Sequence, residues 1–290
     1  MDLTLSERFA LIGFNGYESE HREIGKQNVL RVLAAAVFLE ENYDLSTGKW
    51  HFNEQGIKDA MKKANKKELE RTYAERLQSK QLLSKVPSLL GCDLYYDKNI
   101  KLKTYVSDTR EFECQLDLLR AEFLEEGPIS EESIILVWLL LESLCFYQVF
   151  SVYEQNEITA RMASLRNEST LAKALYPIEI RSLWGTVAVG FLRLKSQAAA
   201  TETGKGFNFI FPFFERKQSI FIDTEEYFPN AQLRLKNVLD RISSQGHVYE
   251  VLREGAVPVV KIDNIKYELI PGAVVGKMPI HGVRLRRYNL

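Results

Sequence analysis

Cysteine is scarce in these 290 residues. Cys92, Cys114 and Cys145 make an odd number at wide spacing, and none belongs to a C-x-x-C pair. That argues against a disulfide framework or a thiolate zinc site and fits a reducing, cytoplasmic compartment. Histidine is as sparse. His21, His51, His247 and His281 never stand three or four residues apart, so no metal centre is expected. A surplus of either charge is also missing, since 38 Lys and Arg oppose 39 Asp and Glu for a formal net charge of -1. No global field draws the molecule to nucleic acid or membrane, and any such attraction must come from a local patch. A phosphate loop is absent, because Gly204-Lys205-Gly206 is too short and strand-like residues follow it. No Gly-x-Ser-x-Gly elbow occurs, and no local signature pairs a nucleophile with a histidine. The expectation is a binding protein that is not an enzyme and carries no cofactor. The first residues, Met1 to Arg8, lack a basic stretch followed by an apolar run, so no secretory signal is expected.

One apolar run approaches the length of a membrane span: Ser133 to Val152, SIILVWLLLESLCFYQVFSV. Glu142, Ser143, Gln148 and Ser151 interrupt it, and a glutamate at mid-bilayer costs about 2.5 kcal/mol or more. The sequence predicts instead a central helix buried in a soluble domain. Glu142 would then either carry a raised pKa, as catalytic carboxylates do, or make a structural hydrogen bond at a helix crossing, the preferred reading.

What is present is ordinary for a globular chain: 46% hydrophobic and 27% charged residues, enough to build a core. Thr4-Leu5-Ser6-Glu7 forms a capping-box pattern that opens a first helix. Val29, Leu30, Leu33, Ala34, Val37 and Phe38 keep helical spacing in a second, over about 27–41. Tyr43 to Phe52 reads as a hairpin around Ser46 to Gly48. Glu54 to Leu83 reads as one charged helix, Asp93 to Val106 as a hairpin or wing, and Phe112 to Leu124 as another helix. Helices are also expected over about 158–165 and from Pro177 or Ile178 to about Ala199.

Thr201 to Gly206 has the texture of a linker. Beyond it, strands are expected at 207–214, 219–222, 248–252, 257–262, 266–270 and 283–288, with a helix over 230–244 and a two-residue turn at Asp263-Asn264. The fold class expected is therefore mainly α: a compact helical domain with a buried central helix and short β-hairpins over 1–203, then a smaller α+β module over 207–290.

The densest basic stretch contains Lys62, Lys63, Lys66, Lys67, Arg71, Arg76, Lys80 and Lys85, opposed by Glu68, Glu70 and Glu75. On one continuous helix Lys63, Lys66, Lys67 and Arg71 would share a face, either an anionic-surface site or a solvated face. Arg284 and Arg286 alternate with apolar residues, as on an exposed, charge-protected edge strand. A helix followed by a hairpin also suggests a winged-helix-like nucleic-acid-binding module or a protein-interaction scaffold, although the near-zero net charge argues against nucleic acid.

Several segments, in order, resemble the Golgi phosphoprotein 3-like family. They are Leu3-Thr4-Leu5-Ser6-Glu7 with Ala10-Leu11-Ile12-Gly13, the helix Val29 to Leu39, Leu77-Gln78-Ser79-Lys80-Gln81-Leu82-Leu83, the stretch Leu118 to Phe150, and Trp184 to Phe191. The resemblance spans roughly residues 1–200. It implies a helical fold and a peripheral membrane protein that binds anionic phospholipid head groups, phosphatidylinositol 4-phosphate in the family. It places Lys67 and Glu70 where the family has arginines, with Arg71 beside Glu70 as the substitute, and Arg31 on the second helix one position from a family arginine. Arg31, Lys67 and Arg71, with Lys63 and Lys66, form the expected head-group site. A protein partner or a homo-oligomer is a further expectation for the C-terminal module.

Overall fold

The computed structural model describes residues 3–16, 26–87, 89, 104–181, 219–224, 227–275 and 279–288. The chain packs as two units. The first takes Met1–Asn15, Ile24–Ser84 and Ser107–Gln197; the second takes Gly16–Glu23, Lys85–Val106 and Ala198–Leu290. The sequence boundary near residue 204 does not anticipate the two early segments of the second unit.

In the first unit, α1 (Leu5–Phe14) begins at Thr4, whose hydroxyl accepts from the Glu7 amide while the Glu7 carboxylate accepts from the Thr4 amide. α2 (Lys26–Glu41) packs along it. Gly13 permits the close approach, since a Cβ there would lie 2.9 Å from Val29 Cγ1. A hairpin of β1 (Tyr43–Asp44) and β2 (Lys49–Trp50) follows, with Tyr43 paired to Trp50. The charged stretch after it is not one helix. It is split into α3 (Glu54–Lys63) and α4 (Lys66–Ser79), because Ala64 is extended and the Asn65 side chain caps the second helix. β3 (Leu83–Val86) and β4 (Thr104–Ser107) form a two-stranded sheet, of which the residues from Lys85 to Val106 count with the second unit. The expected wing over 93–106 lies outside the described residues except for its last strand.

α5 (Thr109–Leu124) is capped by Asp108. The long apolar run is three helices: α6 (Glu131–Ser143), α7 (Phe146–Val149) and the start of α8 (Val152–Glu168). α6 stops at Leu144, which takes a left-handed conformation at φ 71°. A Ser151–Glu154 capping box then starts α8. Every residue from Ser133 to Leu140 is buried, and α1, α2 and α9 (Thr170–Leu175) pack against α6. Pro177 does not open a helix, for residues 176–181 run without regular structure. The helix expected to follow lies outside the described residues, as does the segment 207–214. No helix among the described residues is long and apolar enough to cross a membrane.

Glu142 resolves as a structural anchor. It is 2% exposed, and its Oε2 accepts from the amides of Ile180 at 2.7 Å and Arg181 at 2.8 Å. Its Oε1 accepts from Arg181 Nε at 3.0 Å and Nη2 at 2.5 Å. Trp138 Nε1 donates to the Ile178 carbonyl at 3.1 Å, so α6 holds this strip of chain at two levels.

The second unit corrects the fold class. A mainly α chain with only short hairpins does not describe it, because five strands form one antiparallel sheet in the order β5-β9-β8-β7-β6. They are β5 (Ser219–Asp223), β6 (Tyr249–Arg253), β7 (Val259–Ile262), β8 (Ile265–Val275) and β9 (Pro279–Arg287). β8 and β9 outrun their sequence signals: pairing continues through Pro271 opposite Val283 and Gly272 opposite Gly282. Gly282 is required where it stands, since a Cβ would meet the Ile222 carbonyl oxygen at 2.3 Å. Asp263 and Asn264, at φ 47° and 66°, make the tight β7–β8 turn.

α10 (Ala231–Ser244) lays Val238, Leu239 and Ile242 in one core with Ile222, Val260, Ile262, Tyr267, Leu269, Val283, Leu285 and the distant Leu89. β6 is exposed along its length and carries a bulge between Val251 and Arg253, a device that discourages further strand pairing.

Two outcomes are expected. Glu142→Ala leaves the Arg181 guanidinium unpaired, and the loss in urea-unfolding free energy should be about 3–5 kcal/mol; a loss below 1 kcal/mol would refute the anchoring role. A fragment ending at residue 203 removes the sheet on which Leu89 packs and Ile265, which Gly16 contacts. Its dye-reported exposed apolar surface should rise above that of the full chain, and an unchanged signal would show that these segments do not depend on the sheet.

Candidate functional site: a cationic corner between two helices

α3 ends and α4 begins within a span that holds four lysines, Lys62, Lys63, Lys66 and Lys67, and no acidic residue. The Asn53 side chain starts α3 by accepting from the Gly56 amide at 2.7 Å; Ile57 and Met61 are buried, so Lys62 and Lys63 face solvent on the last turn. On α4, Tyr73, Ala74 and Leu77 are buried, and that face leaves Lys66, Lys67 and Arg71 exposed. The break at Ala64–Asn65 means that Lys63 does not share a helix face with the other three, as a continuous helix would have required. Lys63 lies on one arm of the corner and Lys66, Lys67 and Arg71 on the other.

The neighbouring cations are engaged. Lys58 pairs with Glu54 and Lys62 lies 4.0 Å from Asp59. Arg76 sits 5.1 Å from the centre of the Tyr73 ring, and Lys80 bridges to Glu7 at 2.7 Å. Among the described residues Lys63, Lys66, Lys67 and Arg71 form no ion pair and no hydrogen bond through their side chains. Two of them also sit against local electrostatics. Lys66 and Lys67 open α4, where the helix dipole is positive and disfavours cations. Lys67 and Arg71 are a like-charge pair four residues apart, a spacing that is destabilising by about 0.2–0.5 kcal/mol.

The other expected site residue is elsewhere. Arg31 is half-buried on α2, and no hydrogen bond or ion pair ties it to the corner among the described residues. The C-terminal arginines are not on an edge. β9 lies between β5 and β8, Arg286 is held by Glu268 at 3.0 and 2.5 Å, and Arg284 stacks over Phe221 at 5.5 Å. That overturns their reading as a protective edge strand, because alternation reports a face and not a position in the sheet.

Sequence reasoning missed three polar clusters. At the start of α1, the Ser6 amide donates to Glu40 at 2.9 Å and Tyr73 Oη donates to Ser6 Oγ at 3.0 Å. Burial pushes the Tyr73 phenol above its ordinary pKa against the opposing pull of Ser6. In the β1–β2 turn, Asp44 accepts from the Ser46 hydroxyl and amide and from the Thr47 hydroxyl at 2.6–2.8 Å. These bonds, the Ser46 hydroxyl first, lower its pKa to about 2. The Asp44-x-Ser46-Thr47 spacing was the available signal. His247 is buried, its Nδ1 engages Asp263, and its Nε2 finds no hydrogen-bond partner among the described residues. Asp263 also ties the start of β6, accepting from the Val248 amide at 3.1 Å. These clusters close turns and helix ends. Among the described residues, no group of three or more His, Cys, Asp or Glu could hold a metal ion.

No family model matches the chain, and neither a curated protein nor a solved structure matches it. The likeness to Golgi phosphoprotein 3-like proteins rests on the sequence segments alone, and one of them, Trp184 to Phe191, lies outside the described residues.

The electrostatics of the corner predict an opposition between stability and charge. Lys67→Glu replaces an unfavourable dipole contact and a like-charge pair with favourable ones. It should raise the unfolding free energy by about 0.5–1 kcal/mol. Chemical denaturation checks this, and a destabilised variant would show that Lys67 is structurally engaged.

Proposed function

We propose that the protein is a non-enzymatic, peripheral binder of anionic phospholipid surfaces, and that the corner formed by Lys63, Lys66, Lys67 and Arg71 is its contact. The observation that carries this reading is a set of adjacent exposed cations without carboxylate partners among the described residues, two of them placed where they weaken the helix that bears them. Residues that break a local rule without structural gain are candidates for function. The sequence resemblance to a membrane-binding family points the same way.

The magnitudes are adequate. Each basic residue near an anionic bilayer contributes about 1 kcal/mol, so the four together favour the surface by about 4 kcal/mol, roughly a thousandfold. The attraction is local, fading over about 8 Å at physiological ionic strength, and does not depend on the overall charge of the chain.

Co-sedimentation of the full chain with vesicles tests the proposal. Binding is expected to phosphatidylcholine vesicles containing an anionic lipid, not to phosphatidylcholine alone, and should weaken as salt rises. Reversing Lys63, Lys66, Lys67 and Arg71 to Glu should abolish it. Undiminished binding by that variant would move the contact elsewhere on the molecule. Retention of duplex DNA in a gel shift, without vesicle binding, would favour a nucleic-acid role instead.

A further inference from the structure

We infer that the corner responds to the charge density of the bilayer and not to the identity of a lipid head group. The inference rests on the membrane reading above and sharpens it by naming the property recognised.

Recognition of one head group needs donors held in fixed positions, within roughly half an ångström of their working geometry, by the groups around them. Elsewhere the chain builds such supports. The Arg181 guanidinium is fixed by two bonds to Glu142. Arg120 is held by Glu154 at 2.7 Å and Asp117 at 2.8 Å, and it lies over the Phe150 ring at 5.8 Å. Nothing comparable surrounds the corner. Lys63, Lys66, Lys67 and Arg71 are all exposed, and among the described residues none has a hydrogen bond, an ion pair or a ring stacked on its head. Even the neighbouring Lys62, with Asp59 4.0 Å away, leaves 74% of its side chain in solvent.

The residue types agree with the geometry. Three of the four cations are lysines, compact point charges on flexible stems. Arg71 supplies the corner's single guanidinium and so its single planar fork for a phosphate. Half-buried Arg31, the second guanidinium that a head-group site would need, belongs to α2 and has no bond to the corner among the described residues. Cations presented on the two outer arms of a helix junction meet a charged plane as independent charges.

Independent charges give additive and interchangeable effects. Partitioning of the full chain would be measured on phosphatidylcholine vesicles carrying phosphatidylserine or phosphatidylinositol 4-phosphate, adjusted to the same zeta potential. Equal partitioning is expected. Lys63→Gln, Lys66→Gln, Lys67→Gln and Arg71→Gln should each weaken it about fivefold, and pairs of them about twenty-five-fold. Arg71→Lys should have no effect. Circular dichroism checks that each variant is folded. A tenfold preference for the phosphoinositide at matched charge would overturn the inference while leaving the membrane reading intact. So would an Arg71→Lys variant as weak as Arg71→Gln, or one substitution that abolishes binding by itself. Binding to no vesicle would remove the membrane reading and the inference with it.

Discussion

A helix that is apolar on every side can exist in water only where other elements enclose it, and α6 imposes that condition on the first unit. α1, α2 and α9 supply the enclosure. The condition is complicated by Glu142, a carboxylate near the C-terminal end of α6, where the helix dipole disfavours an anion. Burying that charge is tolerable only if its oxygens are satisfied. The amides of Ile180 and Arg181 and the Arg181 guanidinium do so, which fixes the path of residues 178–181 across the helix. The burial of one glutamate thus explains why Arg181 is where it is. It also accounts for residues 178–181 running along α6 without regular structure and not as a helix opened by Pro177.

Much of this was legible from residue types. The Thr4–Glu7 box, the apolar spacing of α2, the hairpin at 43–50 and the Asp263-Asn264 turn follow from local chemistry that tertiary packing leaves unchanged. The failures are physical as well. A leucine does not announce a helix end, so the left-handed Leu144 was invisible in the run from Ser133 to Val152. The Ser151–Glu154 box that restarts the chain was readable and was passed over inside an apolar stretch. At the corner, Asn65 three residues before Glu68 was a capping signal hidden among charges. Pro271, Gly272 and Gly282 look like strand ends, yet the sheet carries β8 and β9 past them, because strand length is decided by neighbours as much as by the strand's own residues. Membership of Gly16 and Leu89 in the second unit is a long-range fact, and no local pattern encodes it.

The candidate site is legible in another sense. Its residues were marked by composition, but their meaning came from what surrounds them. Along the chain, cations are commonly engaged: Arg8 reaches Gln115 and Glu132, Lys80 reaches Glu7, and Arg286 reaches Glu268. Against that background, four adjacent cations without partners are a departure. Carboxylates do stand three or four residues away, Glu70 from Lys66 and Lys67 and Glu68 and Glu75 from Arg71, yet among the described residues none of them forms an ion pair with these cations, and Lys67 with Arg71 joins like charges.

That departure bears on how a nearly neutral chain could find a charged surface. With a net charge of -1, long-range attraction to an anionic bilayer is absent. Capture must occur within about one Debye length of the surface, where a compact cluster is felt and distant carboxylates are screened. Such a cluster acts only when it faces the membrane, so it gives orientation as well as affinity. Spreading the same cations over the surface would preserve the net charge and lose both. Placing Lys66 and Lys67 against the α4 dipole costs folding stability in the free protein, and a bilayer's negative charge would relieve that strain on contact. On the proposed reading, the electrostatic frustration of the corner and the docking it would drive are one property, seen first without the surface and then with it.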